Sequence, residues 1–87
     1  MNIYTLEISR LQADGEVMDF RTKVLAETRL TALVDAQEKF LERLQENYKI
    51  IASGMNVGFD GAVRNFIIGN DKGEIKDYIV RIVKEER

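Results

Sequence analysis

Acid–base or nucleophilic chemistry in this sequence would have to rest on Asp, Glu, Lys, Tyr or Ser, because there is no His and no Cys. Histidine is the side chain that titrates near neutral pH, and the cysteine thiolate is the common nucleophile and soft metal ligand. Their absence removes the usual hydrolytic, redox and zinc designs. No local pattern marks any remaining Asp, Glu, Lys, Tyr or Ser as activated, and no carboxylate pair stands out by spacing. Asn70-Asp71-Lys72-Gly73-Glu74 offers oxygen ligands without the staggered acids of a calcium loop, and reads as a hairpin turn. The expectation is a chain with no catalytic residue, no cofactor and no metal.

Binding chemistry has more to rest on. Gly54 to Gly61 is the least regular stretch, and Met55, Val57 and Phe59 recur within it at a spacing of two. Turned inward, they are the core face of a strand. Turned outward, they form an adhesive strip for a partner. Gly58-Phe59-Asp60-Gly61 has the GXXG spacing of a loop that grips nucleic-acid backbones, but Asp60 stands where such a loop carries a base, so the glycines read as turn or bulge positions. Backbone amides of this stretch could cradle an anion, although the Lys-Ser/Thr ending of a P-loop is missing. Arg10, Arg21 and Lys23 make the nearest approach to a basic patch. The candidate partner contacts are therefore Arg21, Lys23, Met55, Val57 and Phe59. Thirteen Lys and Arg against fifteen Asp and Glu leave a net charge of −2. That balance argues against direct DNA binding, which calls for a basic excess, and equally against an acidic mimic of DNA.

The elements that must position these residues follow from periodicity. A chain of 87 residues makes one compact domain, 1–87. Tyr4, Leu6 and Ile8 alternate with polar residues, as do Met18, Phe20, Thr22, Val24 and Ala26, on either side of Asp14-Gly15. A two-residue turn would set Ile8 against Arg21 and mix core with solvent. A three-residue loop, Ala13-Asp14-Gly15, pairs Ile8 with Phe20, Leu6 with Thr22 and Tyr4 with Val24, and is the expected form. Arg21 and Lys23 then share the outer face, with Asp19 beside them. Thr28 caps a helix from Arg29 to about Asn47, with Leu30, Leu33, Val34, Phe40, Leu41, Leu44 and Tyr48 as its apolar stripe. Asp35, Glu38, Lys39, Glu42, Arg43 and Glu46 line the opposite face, and Asp35 with Lys39 has the order of an i,i+4 ion pair. A third strand is expected around Ile50 to Val57. Ala62–Ile68 and Ile75–Val83 read as a second hairpin. A helical stripe over Ile75, Tyr78, Ile79, Ile82 and Val83 is the rival, but the density of β-branched residues favours a strand. Lys84 to Arg87 reads as a frayed tail. The order ββα followed by two or three strands specifies an α+β two-layer sandwich: one helix on an antiparallel sheet of four or five strands.

A chain without cysteine has no disulfide framework and suits a reducing cytoplasm. The opening residues show no basic segment leading into an apolar run, and no apolar stretch approaches membrane-spanning length. Tyr4-Thr5-Leu6-Glu7-Ile8, then Phe20-Arg21-Thr22-Lys23-Val24-Leu25-Ala26-Glu27-Thr28 running into Leu30-Thr31-Ala32-Leu33-Val34-Asp35-Ala36, resembles the hairpin-to-helix opening of small phage-encoded anti-defence proteins, including anti-CRISPR inhibitors. The resemblance covers about half the chain and implies a non-catalytic inhibitor that blocks a larger host protein or complex by binding it. The leading expectation is a phage-type inhibitor acting through a protein–protein interface, with a homodimer through a sheet edge as an added option. The alternatives are an oligomeric module that sequesters a nucleotide-like anion, and an RNA-binding domain whose sheet stacks bases on aromatic side chains.

Overall fold

A computed structural model describes residues 1–44, 47–55 and 62–87. Strands β1 (Asn2–Gln12) and β2 (Gly15–Ala26) form the first hairpin. Ile8 faces Phe20, Leu6 faces Thr22 and Tyr4 faces Val24, as parity requires. The device that achieves this is different from the expected loop. Gln12 pairs with Gly15 across Ala13-Asp14, and the phase is restored lower down, where Ile8 pairs with Phe20 but Ser9 pairs with Met18. Asp19 is the extra residue of that β-bulge. Met18 therefore leaves the core face on which strict alternation set it, and stands more than half exposed.

Helix α1 spans Arg29–Arg43. Thr28 caps it: its hydroxyl oxygen accepts from the Thr31 amide at 3.1 Å. The helix stops short of Asn47, with Leu44 already in extended backbone. Its buried residues are Ala32, Leu33, Ala36, Gln37 and Phe40, whereas Leu30 of the expected stripe is half exposed. Two alanines at the contact let the helix lie close on the sheet, and Phe40 fills the space beyond them. Phe40 sits 4.7 Å from the Tyr78 ring, 5.7 Å from Phe20 and 6.3 Å from Phe66. Aromatic edges and faces at such separations gain beyond their buried area.

Three further strands follow: β3 (Lys49–Met55), β4 (Val63–Gly69) and β5 (Ile75–Glu86). The strand reading of residues 75–83 holds. Asn70 organises the β4–β5 turn, since its side-chain oxygen accepts from the Lys72 and Glu74 amides at 3.0 Å each. Gly73 takes a φ of 79°, where a side chain would be strained. The expected frayed tail is instead the end of β5. Glu86, Glu85 and Lys84 pair with Ile3, Tyr4 and Thr5, and Arg29 donates to the Glu85 carboxylate at 3.1 and 3.3 Å. The strand order is β2-β1-β5-β4-β3, all antiparallel neighbours, with α1 lying over β2, β1 and β5. The fold is thus an α+β sandwich of one helix on five strands, whose core lies between α1 and the sheet. Among the described residues the opposite face of the sheet carries no helix, and β2 and β3 are its two edges.

Candidate partner-binding surface

The helix-free face can be read directly from the pairing. Glu7 lies between Arg21 on β2 and Arg81 on β5. Arg21 donates to the Glu7 carboxylate at 3.0 Å. Arg81 reaches across β1 to fork both carboxylate oxygens of Glu16, at 2.7 and 3.0 Å. Such two-pronged pairing is geometrically demanding and fixes both side chains. The hydrogen bond holds the Glu16 carboxyl below its ordinary value and the Arg81 guanidinium above its own. Lys84 and Glu86 pair at 3.0 Å farther along β5. These long side chains roof the strand centres, so Thr5, Ser9 and Ile79 are buried although no helix covers them.

Around this ionic centre stand apolar side chains with nothing over them. Ile3 and Leu25 face each other across β1 and β2, 40% and 60% exposed. Met18 and Leu11 lie at the other end of the same hairpin, and Ile75 and Ile51 stand at the top of the sheet. Ile51 is the extra residue of a bulge in β3 and leans over Gly69, where an added Cβ would lie 3.4 and 3.6 Å from its methyls, in ordinary contact. The face therefore combines a structured charged centre with an apolar rim, the reverse of the common arrangement in which a dry core is ringed by polar groups.

Arg21 and Lys23 lie where the sequence set them, on this outer face and side by side on an edge strand. Arg21 is held by Glu7, whereas on Lys23 it is the backbone carbonyl that is engaged, accepting from the Lys39 ammonium at 3.2 Å. Lys39 thus turns to the strand edge instead of closing on Asp35. Arg10 faces the helix side opposite Tyr78, apart from the other two bases. Asp19 is turned by its bulge so that its carboxylate accepts from the Tyr78 hydroxyl at 3.2 Å. Met55 is the last residue of β3, while Val57 and Phe59 lie outside the described residues. The structure therefore joins Arg21 with Lys23 on β2 and sets Met55 at the end of β3, on the opposite edge of the sheet. Leu25, missed by the site reading, continues the Arg21–Lys23 phase at a spacing of two and was there to be found. Met18 was not, because a bulge leaves no mark in the alternation.

No known protein family matches this chain, and neither does any curated protein or solved structure. Chemistry on the described residues must speak for itself. Among them no cluster of three or more acidic, His or Cys side chains could hold a metal, and no helix is long and apolar enough to cross a membrane. Every aromatic side chain among them packs in the core or against it, so the helix-free face has no described ring on which a base could stack.

Proposed function

We propose that this chain is a non-catalytic binding protein that engages a protein partner through the helix-free face of its sheet. The observation that carries this reading is the set of large apolar side chains, Ile3, Leu11, Met18 and Leu25, left uncovered along the β1–β2 hairpin around a row of ordered ion pairs. Exposed apolar side chains grouped on one face favour association, and paired charges between them set which partner fits. The partner in this reading is a larger host protein or complex, in keeping with the phage-type, anti-CRISPR-like inhibitors that the opening half resembles, and a cysteine-free chain is suited to a reducing cytoplasm. Pairing of two copies through a sheet edge is a competing use of the same region.

The test is capture from host lysate by the wild type and by a Met18→Asp, Leu11→Asp variant, alongside light scattering of both. The reading expects a stoichiometric partner that the wild type retains and the folded variant loses. Equal capture by both, no captured protein, or turnover of a substrate by the pure chain would sink it.

A further inference from the structure

Strand β2 is unpaired on its outer side among the described residues, along a length of 12 residues. Its free side is not bare. Helix α1 lies beside it, and between them runs an open, shallow groove of about 430 Å³ lined by Val24, Leu25, Asp35, Glu38, Lys39 and Glu42. Within this groove the Lys39 ammonium donates to the Lys23 carbonyl at 3.2 Å. That contact says two things. The Lys23 carbonyl points away from β1, so by the two-residue repeat Arg21 and Leu25 also present their backbone groups to the free side. And a cation is already lodged between strand edge and helix, at the place where the N–H of an added strand would donate. Lysine on an edge is also a recognised guard against unwanted pairing, so Lys39 makes entry selective rather than open.

We infer that the β2–α1 groove takes an extended peptide segment of a partner as an added strand, with basic side chains at alternate positions. The chemistry follows from the lining. Asp35, Glu38 and Glu42 supply three carboxylates on the helix side against the single ammonium of Lys39. On the other side of the same strand stand Arg21 and Lys23, which repel a base. An added strand turns alternate side chains to these two sides, so basic residues belong at every second position and neutral or acidic ones between them. Main-chain hydrogen bonds to β2 supply affinity, and the alternation supplies specificity. This inference rests on reading the chain as a binding protein, but its groove lies apart from the Met18 and Leu11 end of the apolar rim.

The probe is a fluorescein-labelled heptapeptide of alternating lysine and threonine, followed by fluorescence anisotropy. Saturable binding is expected, weakened about tenfold when Glu38→Lys and Glu42→Lys are combined on the exposed helix face. N-methylation of the backbone on the pairing side is expected to weaken it similarly, and Lys39→Gln to tighten it by removing the competing ammonium. The inference is overturned by no saturable binding, by equal binding of a glutamate–threonine peptide, or by indifference to N-methylation, which would mean charge attraction without strand addition. The Met18→Asp, Leu11→Asp variant, whose changes lie outside the groove, is expected to keep the peptide, so loss of peptide binding and loss of lysate capture report separate failures.

Discussion

Tyr78 is buried to 2% exposure, yet its hydroxyl finds the Asp19 carboxylate at 3.2 Å. Burial, and then the neighbouring Asp19 charge that its hydroxyl also bonds, push the phenol up to about 12. A folded-state value above the ordinary 10 means the unfolded chain loses its proton first as pH rises. The contribution is therefore whole below pH ~10 and lost as pH approaches 12. Tyrosinate absorbance should show Tyr78 ionising late, and Tyr78→Phe should remove that late component while costing about 1 kcal/mol at neutral pH by urea unfolding. Phe40 touches three other rings, so Phe40→Ala should cost about 3–5 kcal/mol, a large share of the stability of so small a domain. Gln37 is a buried amide whose Oε1 has no hydrogen-bond partner among the described residues. Gln37→Met keeps the shape and removes the unmet acceptor, and should raise the urea midpoint by roughly 1 kcal/mol of stability. A lowered midpoint would mean the amide is held by something else. At this scale the sequence was legible where phase carries the information, as for Arg21 and Lys23, and silent where one residue changes the phase, as at Asp19.

Elements show the same division. Tyr4, Leu6 and Ile8 against Phe20, Thr22 and Val24 could be paired from alternation alone, because a slip of one residue would bury Arg21. How the chain closes that register could not. A three-residue loop and a two-residue loop with one bulged residue satisfy the same parity, and only the second frees Asp19 to meet Tyr78. The start of α1 was legible through Thr28, a residue whose hydroxyl suits a cap. Its end was not, since Leu44 and Tyr48 continue the apolar spacing after the backbone has become extended. Lys84 to Glu86 looked solvated by composition, but the charged side chains of an exposed strand end are no bar to pairing when Tyr4 and Thr5 supply the partner backbone. Two substitutions test these elements by thermal and urea unfolding. Thr28→Ala should cost about 1 kcal/mol through the lost cap. Gly73→Ala, at a φ of 79°, should cost a comparable ~1 kcal/mol through strain in the turn that joins β4 to β5.

In the whole molecule, the last strand is inserted between the β1–β2 hairpin and the β3–β4 pair: β5 joins β1 to β4. These two strand pairs form one continuous sheet only when the C-terminal strand is in place, so the α1-covered core is completed last along the chain. Deleting residues 84–87 removes the pairs to Ile3, Tyr4 and Thr5 and the Arg29–Glu85 bridge. Calorimetry should register this as a clear drop in Tm, since each lost kcal/mol moves a domain of this size by about 4–8 °C. An unchanged Tm would mean these pairs contribute nothing. The pairing of Ile3 with Glu86 has a separate consequence. Because the two extremities meet at one corner, they could be ligated by a short flexible bridge and the backbone severed instead between Asp71 and Lys72. The resulting circular permutant would thread the strands in a new sequence and yet rebuild the same scaffold, carrying any fused tag out at the opposite end.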